Sequence, residues 1–261
     1  STWLAVVGYA IQIYADFSGY SDIAIGTAKM IGYDLPENFD VPYASTDITE
    51  FWRRWHITLS RWLRDYLYIP LGGNRRGLVR TYVNLSLTML LGGLWHGASW
   101  NFVLWGGLHG AALALHKFVR SKTSRRLPAI VALPGTLLFV MLCWVPFRAP
   151  TFQATWTMLS KLAGAAPGGM RYVPIALAWI VPVVIAGHLL SIGFSRSERV
   201  RTVLGSLLRA ADVDWRRDAI SGPAFVFGGR GLLGAFVLAS VVLVIFFFAE
   251  VSANPFIYFQ F

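Results

Sequence analysis

Leu91-Gly92-Gly93-Leu94-Trp95-His96-Gly97-Ala98-Ser99-Trp100-Asn101 places a histidine where two apolar segments meet. Thr81 to Trp95 on one side and Phe102 to Leu115 on the other are apolar enough for lipid, so the pattern predicts a hydrophobic hairpin with His96 near its turn. As a helix, Thr81 to Trp95 reaches only about 22 Å, against a hydrocarbon layer of roughly 30 Å, which predicts a turn below the far surface. An imidazole at membrane depth is costly unless it faces protein or water, and that makes His96 a candidate for function. A histidine that closes a helix end or bonds a neighbouring helix is the structural alternative.

The rest of the chain has the same solvent. Of 261 residues, 56% are hydrophobic and 14% charged, and the mean hydropathy is +0.54, which excludes an ordinary soluble globule. The formal net charge of +10 would suggest a polyanion partner in a soluble protein. Here the bases fall between apolar segments, where membrane lipid headgroups and the positive-inside rule account for them, and no nucleic-acid partner is implied. The eleven Trp residues suit interfacial belts or pocket walls. Cys143 is the single cysteine, so neither a disulfide within the chain nor a cysteine metal cluster is expected, and no metal site is predicted. Ser1 opens the chain almost directly into an apolar segment, and the sequence is read as a piece of a longer protein.

Trp3 to Ile31 predicts a first helix interrupted by Asp16, Ser18 and Asp22, polar groups that must look into a bundle or a wet cavity. A polar loop from Glu37 to Ser45 follows, and Thr46-Asp47-Ile48-Thr49-Glu50 offers helix-capping chemistry. Phe51 to Pro70 carries Trp52, Trp55, Leu59, Trp62 and Leu63 at helical spacing beside Arg53, Arg54, Arg61 and Arg64, the pattern of an amphipathic helix lying in the headgroup region. Gly72 to Gly77 is a basic turn, and Lys117 to Arg126 closes the hairpin on the same side. Further spans are expected at Leu127–Val145, Val173–Ile192 and Gly231–Phe248, with a weakly charged connection from Arg148 to Arg171 and a solvated stretch from Ser195 to Asp218. With the basic stretches cytoplasmic, the His96 turn faces outward.

Soluble-enzyme signatures are absent: the sequence has no Walker loop, no G-x-S-x-G elbow and no H-E-x-x-H. Histidines remain. His56 lies in the Arg/Trp-rich segment, and His109 sits among small residues at Gly106-Gly107-Leu108-His109-Gly110, where a cross-helix hydrogen bond is the favoured role. His116 and His188 read as ends of spans.

Four blocks carry a resemblance: Tyr14-Ala-Asp-Phe-Ser-Gly-Tyr-Ser-Asp22, Phe51-Trp-Arg-Arg-Trp-His56 through Arg64-Asp65-Tyr66, Leu94 to Asn101, and the Pro255 to Phe261 tail. Together they resemble the membrane-bound O-acyltransferase superfamily, in its bacterial alginate O-acetyltransferase branch, whose relatives include the D-alanyl transfer protein of teichoic acid modification. The resemblance implies an all-α polytopic bundle in the bacterial inner membrane, with amphipathic or re-entrant helices around a catalytic chamber. It makes residues 1–261 a single region, the C-terminal catalytic half.

By the same resemblance His96 and His56 are the catalytic histidines, while Trp95, Trp100, Asn101, Arg64, Asp65, Asp16 and Ser18 are candidates for holding substrate or donor. A neutral imidazole can take a proton from an attacking hydroxyl and pass it to the leaving group. Read as residues alone, Arg64 and Asp65 are better explained by a structural ion pair, and Arg53, Arg54 and Arg61 by lipid headgroups rather than donor phosphates. The implied reaction moves an acyl group, acetyl foremost, from a cytoplasmic donor such as acetyl-CoA or an acyl-phosphopantetheine carrier. The implied acceptor is an extracytoplasmic polysaccharide, reached directly or through a partner acetyltransferase; no bound cofactor is expected. A transporter with a His/Asp proton path and a non-catalytic scaffold for a partner transferase are the competing classes.

Overall fold

A computed structural model describes residues 2–165 and, beyond them, 182–183, 186–187, 202, 213–218 and 222–227. Apart from 182–183 and 186–187, the expected span at 173–192 lies outside the described residues, as do the span at 231–248, His188 and the 255–261 tail. Contacts divide the chain into two units, Ser1–Gly19 with Asn38–Val184, and Tyr20–Glu37 with Ile185–Gln260. The second unit contains the end of the first helix and an antiparallel pair, β1 (Val213–Asp218) and β2 (Gly222–Phe227), registered Val213 to Phe227. That pair departs from an all-α expectation. It falls where the sequence turns polar, and Val, Trp and Phe there favour extended backbone.

The first unit is helical throughout its described residues. α1 (Thr2–Met30) leads to a 3-10 turn at Pro42–Ala44 and then to α2 (Ile48–Arg54) and α3 (Ile57–Leu63). A π-helical turn, Arg64–Tyr68, follows. Beyond it come α4 (Gly77–Trp95), α5 (Trp100–Lys122), α6 (Ala129–Arg148) and α7 (Phe152–Leu162). By length and composition α5 and α6 are long and apolar enough to cross a membrane.

The expected hairpin is present as α4 and α5. Its first arm begins at Gly77 rather than Thr81, so its 19 residues run about 28 Å and nearly remove the expected shortfall. Small residues set the spacing. A Cβ on Gly93 would stand 2.3 Å from the Phe102 carbonyl oxygen, and one on Gly106 2.3 Å from that of Met89, so the two backbones touch where only glycine fits. Between them the chain turns through Gly97, whose φ of 153° favours glycine and whose added Cβ would meet the Phe102 ring at 2.9 Å.

Phe51 to Pro70 is not one interfacial helix. Thr46 and Asp47 start α2 as the sequence suggests: the Asp47 carboxylate accepts from the Glu50 N–H, and Glu50 accepts from both the N–H and the hydroxyl of Thr46, each at 2.8 Å. α2 then tracks α5 instead of lying flat. The Thr49 hydroxyl meets His116 at 2.8 Å, and the Trp52 indole N–H donates to His109 Nδ1 at 3.2 Å; Trp52 also abuts Trp105 edge-on at 5.8 Å. The helix breaks at His56, which sits in the left-handed region at φ 43°.

The loop before α2 supplies the bonds that the break gives up, Asp40 N–H to the Arg54 carbonyl and Ile57 N–H to the Asn38 carbonyl, both 3.0 Å. α3 leads away from the break, with Leu63 against Gly92 of α4. The basic turn then closes on the hairpin through Asn84 to the Gly73 carbonyl, 3.1 Å, and Lys117 to Asn74, 2.9 Å. Lys117 thus meets the turn it was expected to share a side with.

Candidate active site

His56 and His96 come together from separate breaks in helix, one between α2 and α3 and the other at the end of α4. They are near enough for a charge on one to act on the other. Aromatic rings wall them. Phe17 of α1 stands edge-on to His56 at 4.6 Å. His96 is edge-on to Trp105 at 5.3 Å, to Phe147 at 5.0 Å and to Trp95 at 5.1 Å. Trp144 and Trp55, 5.0 Å apart, continue the cluster, and both are buried. Such walls hold the two imidazoles, both half-buried, in place and lower the local polarity around them.

Hydrogen bonds fix His56 further. Its Nδ1 lies 3.1 Å from Asn38 Oδ1, an oxygen that also accepts from the Thr58 hydroxyl at 2.9 Å and from the Thr58 N–H at 3.3 Å. His96 is held by backbone, its N–H donating to the Gly93 carbonyl at 3.0 Å.

The other candidates divide. Trp95 touches His96, although its ring is 64% exposed; Trp100 is 77% exposed and lines a separate apolar hollow of about 580 Å³ with Val103, Leu104 and Phe152. Asn101 is buried and committed elsewhere, its amide N–H donating to the Ala149 carbonyl at 2.7 Å and its oxygen accepting from Thr155 at 3.1 Å. It pins the start of α5 to the α6–α7 corner. Arg64 and Asp65 form an exposed two-bond ion pair at 2.7 and 3.1 Å, the structural alternative named for them.

On α1, Phe17 is the residue that meets His56. Its neighbours Asp16 and Ser18 sit about 100° to either side on the helix, Asp16 accepting from Gln12 and Ser18 donating to the Ala15 carbonyl at 3.4 Å. His109 makes the cross-helix bond expected of it, to Trp52. Sequence reasoning passed over Asn38, Phe17, Trp105, Trp144 and Phe147. The polar loop hinted at Asn38, but an aromatic in an apolar run carries no signal of its own.

A cavity of about 730 Å³ opens between α1, α6 and α7. Trp144 forms part of its wall and packs on Trp105 and Phe147, the rings that also touch His96. Arg148 lies over the Tyr9 ring at 5.9 Å, and Lys161 lines the same space.

Two imidazoles share this aromatic setting beside helices apolar enough for lipid, and among the described residues no cluster of His, Cys, Asp and Glu could hold a metal ion. Residues 1–152 match the model of the membrane-bound O-acyltransferase family. The chain belongs to that family, whose proteins are membrane-bound. It is 42% identical, over 99% of its length and 54% of the relative's, to the probable alginate O-acetylase AlgI of Azotobacter vinelandii. Over 62% of the chain and 31% of the relative it is 47% identical to a peptidoglycan O-acetyltransferase of Helicobacter pylori. A teichoic acid D-alanyltransferase of Bacillus subtilis is 29% identical over 58% of the chain and 42% of the relative. The chain spans about half the length of the alginate O-acetylases it matches.

Proposed function

We propose that the chain is the catalytic region of a multi-pass O-acyltransferase of the bacterial inner membrane. In this reading it moves acetyl from a cytoplasmic acetyl-CoA or acyl-phosphopantetheine donor toward an extracytoplasmic polysaccharide, directly or through a partner acetyltransferase. The observation that carries it is that His56 and His96 face one cluster of aromatic rings, near enough for a charge on one to act on the other. In the proposed step His96 takes the proton of an attacking hydroxyl, whose oxygen forms the new ester bond to the acyl carbonyl carbon. Collapse of the tetrahedral intermediate breaks the carbon–sulfur bond, and the imidazolium returns its proton to the departing thiolate. A positive charge on His96 disfavours protonation of His56.

The test is His96→Gln beside His96→Ala in the full-length protein. Both should accumulate in the membrane and both should lose O-acyl ester on surface polysaccharide, measured by mass spectrometry. Loss of a general base costs about 10²–10⁴-fold in rate. Glutamine keeps a hydrogen bond but cannot cycle a proton near neutral pH. Wild-type ester content in the glutamine variant would refute the catalytic role of His96.

A further inference from the structure

We infer that Asn38 is the positioning residue that sets the tautomer of His56, holding the proton on Nδ1 and leaving Nε2 as the basic nitrogen; the inference rests on the proposed catalytic role of the histidine pair.

Three contacts converge on one atom. A backbone N–H is always a donor, so the Asn38 side-chain atom 3.3 Å from the Thr58 nitrogen has to be the amide oxygen and not its NH₂. The Thr58 hydroxyl, 2.9 Å from the same oxygen, gives its single proton there. An oxygen acceptor 3.1 Å from His56 Nδ1 therefore requires a hydrogen on Nδ1. The second contact of that nitrogen, with Thr58 Oγ1 at 3.4 Å, is then acceptor to donor-bearing nitrogen as well. In neutral imidazole the lone pair is left on Nε2.

The backbone reinforces the placement. Asn38 is itself buried, and its carbonyl accepts from Ile57, so the residue holds His56, Ile57 and Thr58 together on the α3 side of the break that puts His56 in the left-handed region. A non-glycine residue held there is strained and persists when its surroundings over-determine it. Asn38 supplies that determination from outside the helix pair. Around the imidazole, α1 presents the neutral Phe17, the loop presents the neutral Asn38, and the end of α4 presents His96, the titratable group whose charge acts on it. Arg54, two residues back at the end of α2, is engaged by Glu50 at 2.8 Å.

Asn38→Asp puts a carboxylate at the same oxygen, favouring imidazolium at His56. In permeabilised cells carrying the full-length protein and their own acyl donors, the rate of O-acyl ester formation is followed from pH 5 to 8. An opposite charge at this distance raises a pKa by about one unit or more, so the acid limb of the profile should move up by about one pH unit, a roughly tenfold rate loss on that limb. Asn38→Ala removes the acceptor without adding charge and should slow the reaction at least tenfold at every pH with the limb in place. It decides the matter if the aspartate variant does not accumulate.

His56→Gln separates the two ideas. If it is inactive while Asn38→Ala accumulates and keeps the wild-type rate, or while Asn38→Asp leaves rate and limb unchanged, the role of Asn38 is overturned and the histidine pair stands. If His56→Gln keeps the wild-type rate, the catalytic reading of His56 fails first.

Discussion

Gly106→Ala puts the contact between α4 and α5 under direct strain. The added Cβ would stand 2.3 Å from the Met89 carbonyl oxygen, 3.0 Å from its carbon and 3.1 Å from Leu90 Cα, all backbone atoms, where ordinary contact begins at 3.4 Å. The helices must therefore part by about 1 Å at that level, since no side chain can rotate aside. Overpacking against backbone belongs near the upper end of the usual range, about 3 kcal/mol. Alanine's better helix propensity returns about 1 kcal/mol, for a net loss of about 2 kcal/mol. His96 closes the α4 end of the same contact, and a displacement of about 1 Å at a reacting group can cost 10²-fold in rate.

Gly107→Ala is the internal control. The nearest atom to its added Cβ is Leu90 Cδ2 at 3.7 Å, an ordinary contact, so the propensity gain of about 1 kcal/mol should survive. Thermal unfolding of the full-length protein in detergent, with O-acyl ester content measured in parallel, compares the two. Gly106→Ala should melt lower and transfer poorly, while Gly107→Ala should melt at or above wild type with activity kept. Equal melting temperatures for the two variants would refute the close backbone packing that places His96.

Two further outcomes follow from specific bonds. Asn101→Ala should lower stability by about 2–4 kcal/mol, because it strips the Ala149 carbonyl of its donor and Thr155 of its acceptor in a buried corner; a melting temperature within 1 °C of wild type would show that the clamp is idle. At Glu50, burial would raise the carboxyl, but the Thr46 hydrogen bonds and the Arg54 guanidinium outweigh it and hold the group below its ordinary 4.5. A folded-state value below the unfolded one contributes stability above the unfolded value and loses it as pH falls through the folded one. Glu50→Gln should accordingly flatten the acid side of the stability profile below about pH 4.5, and an unchanged acid slope would contradict the cap.

Much of this protein is determined by patterns that act within a single helix. The alternation of apolar runs with glycine and charge decides that α4, α5 and α6 exist and where they end. Ser99 caps α5 by accepting from the Asn101 N–H, and Asp47 caps α2 in the same local way. Lipid as solvent follows from composition, because a segment's cost in hydrocarbon is close to a sum over its residues. His96 was legible for that reason: an ionisable side chain between two apolar runs stands out without any knowledge of its partners.

The tertiary structure decided what His96 meets. No glycine or proline marks the break at His56, so the Trp and Arg spacing reads as one continuous amphipathic helix. The break is imposed from outside, by Asn38 and Asp40 bonding across it. Asn101 and Trp100 were indistinguishable in sequence as neighbours of the histidine turn, yet a helix start directs one into the α6–α7 corner and leaves the other exposed. Periodicity assigns each side chain a face on its own helix. Which distant residue comes to that face is set by backbone contacts such as Gly93 with Phe102 and Gly106 with Met89, where the absence of a side chain fixes the depth at which two histidines can meet.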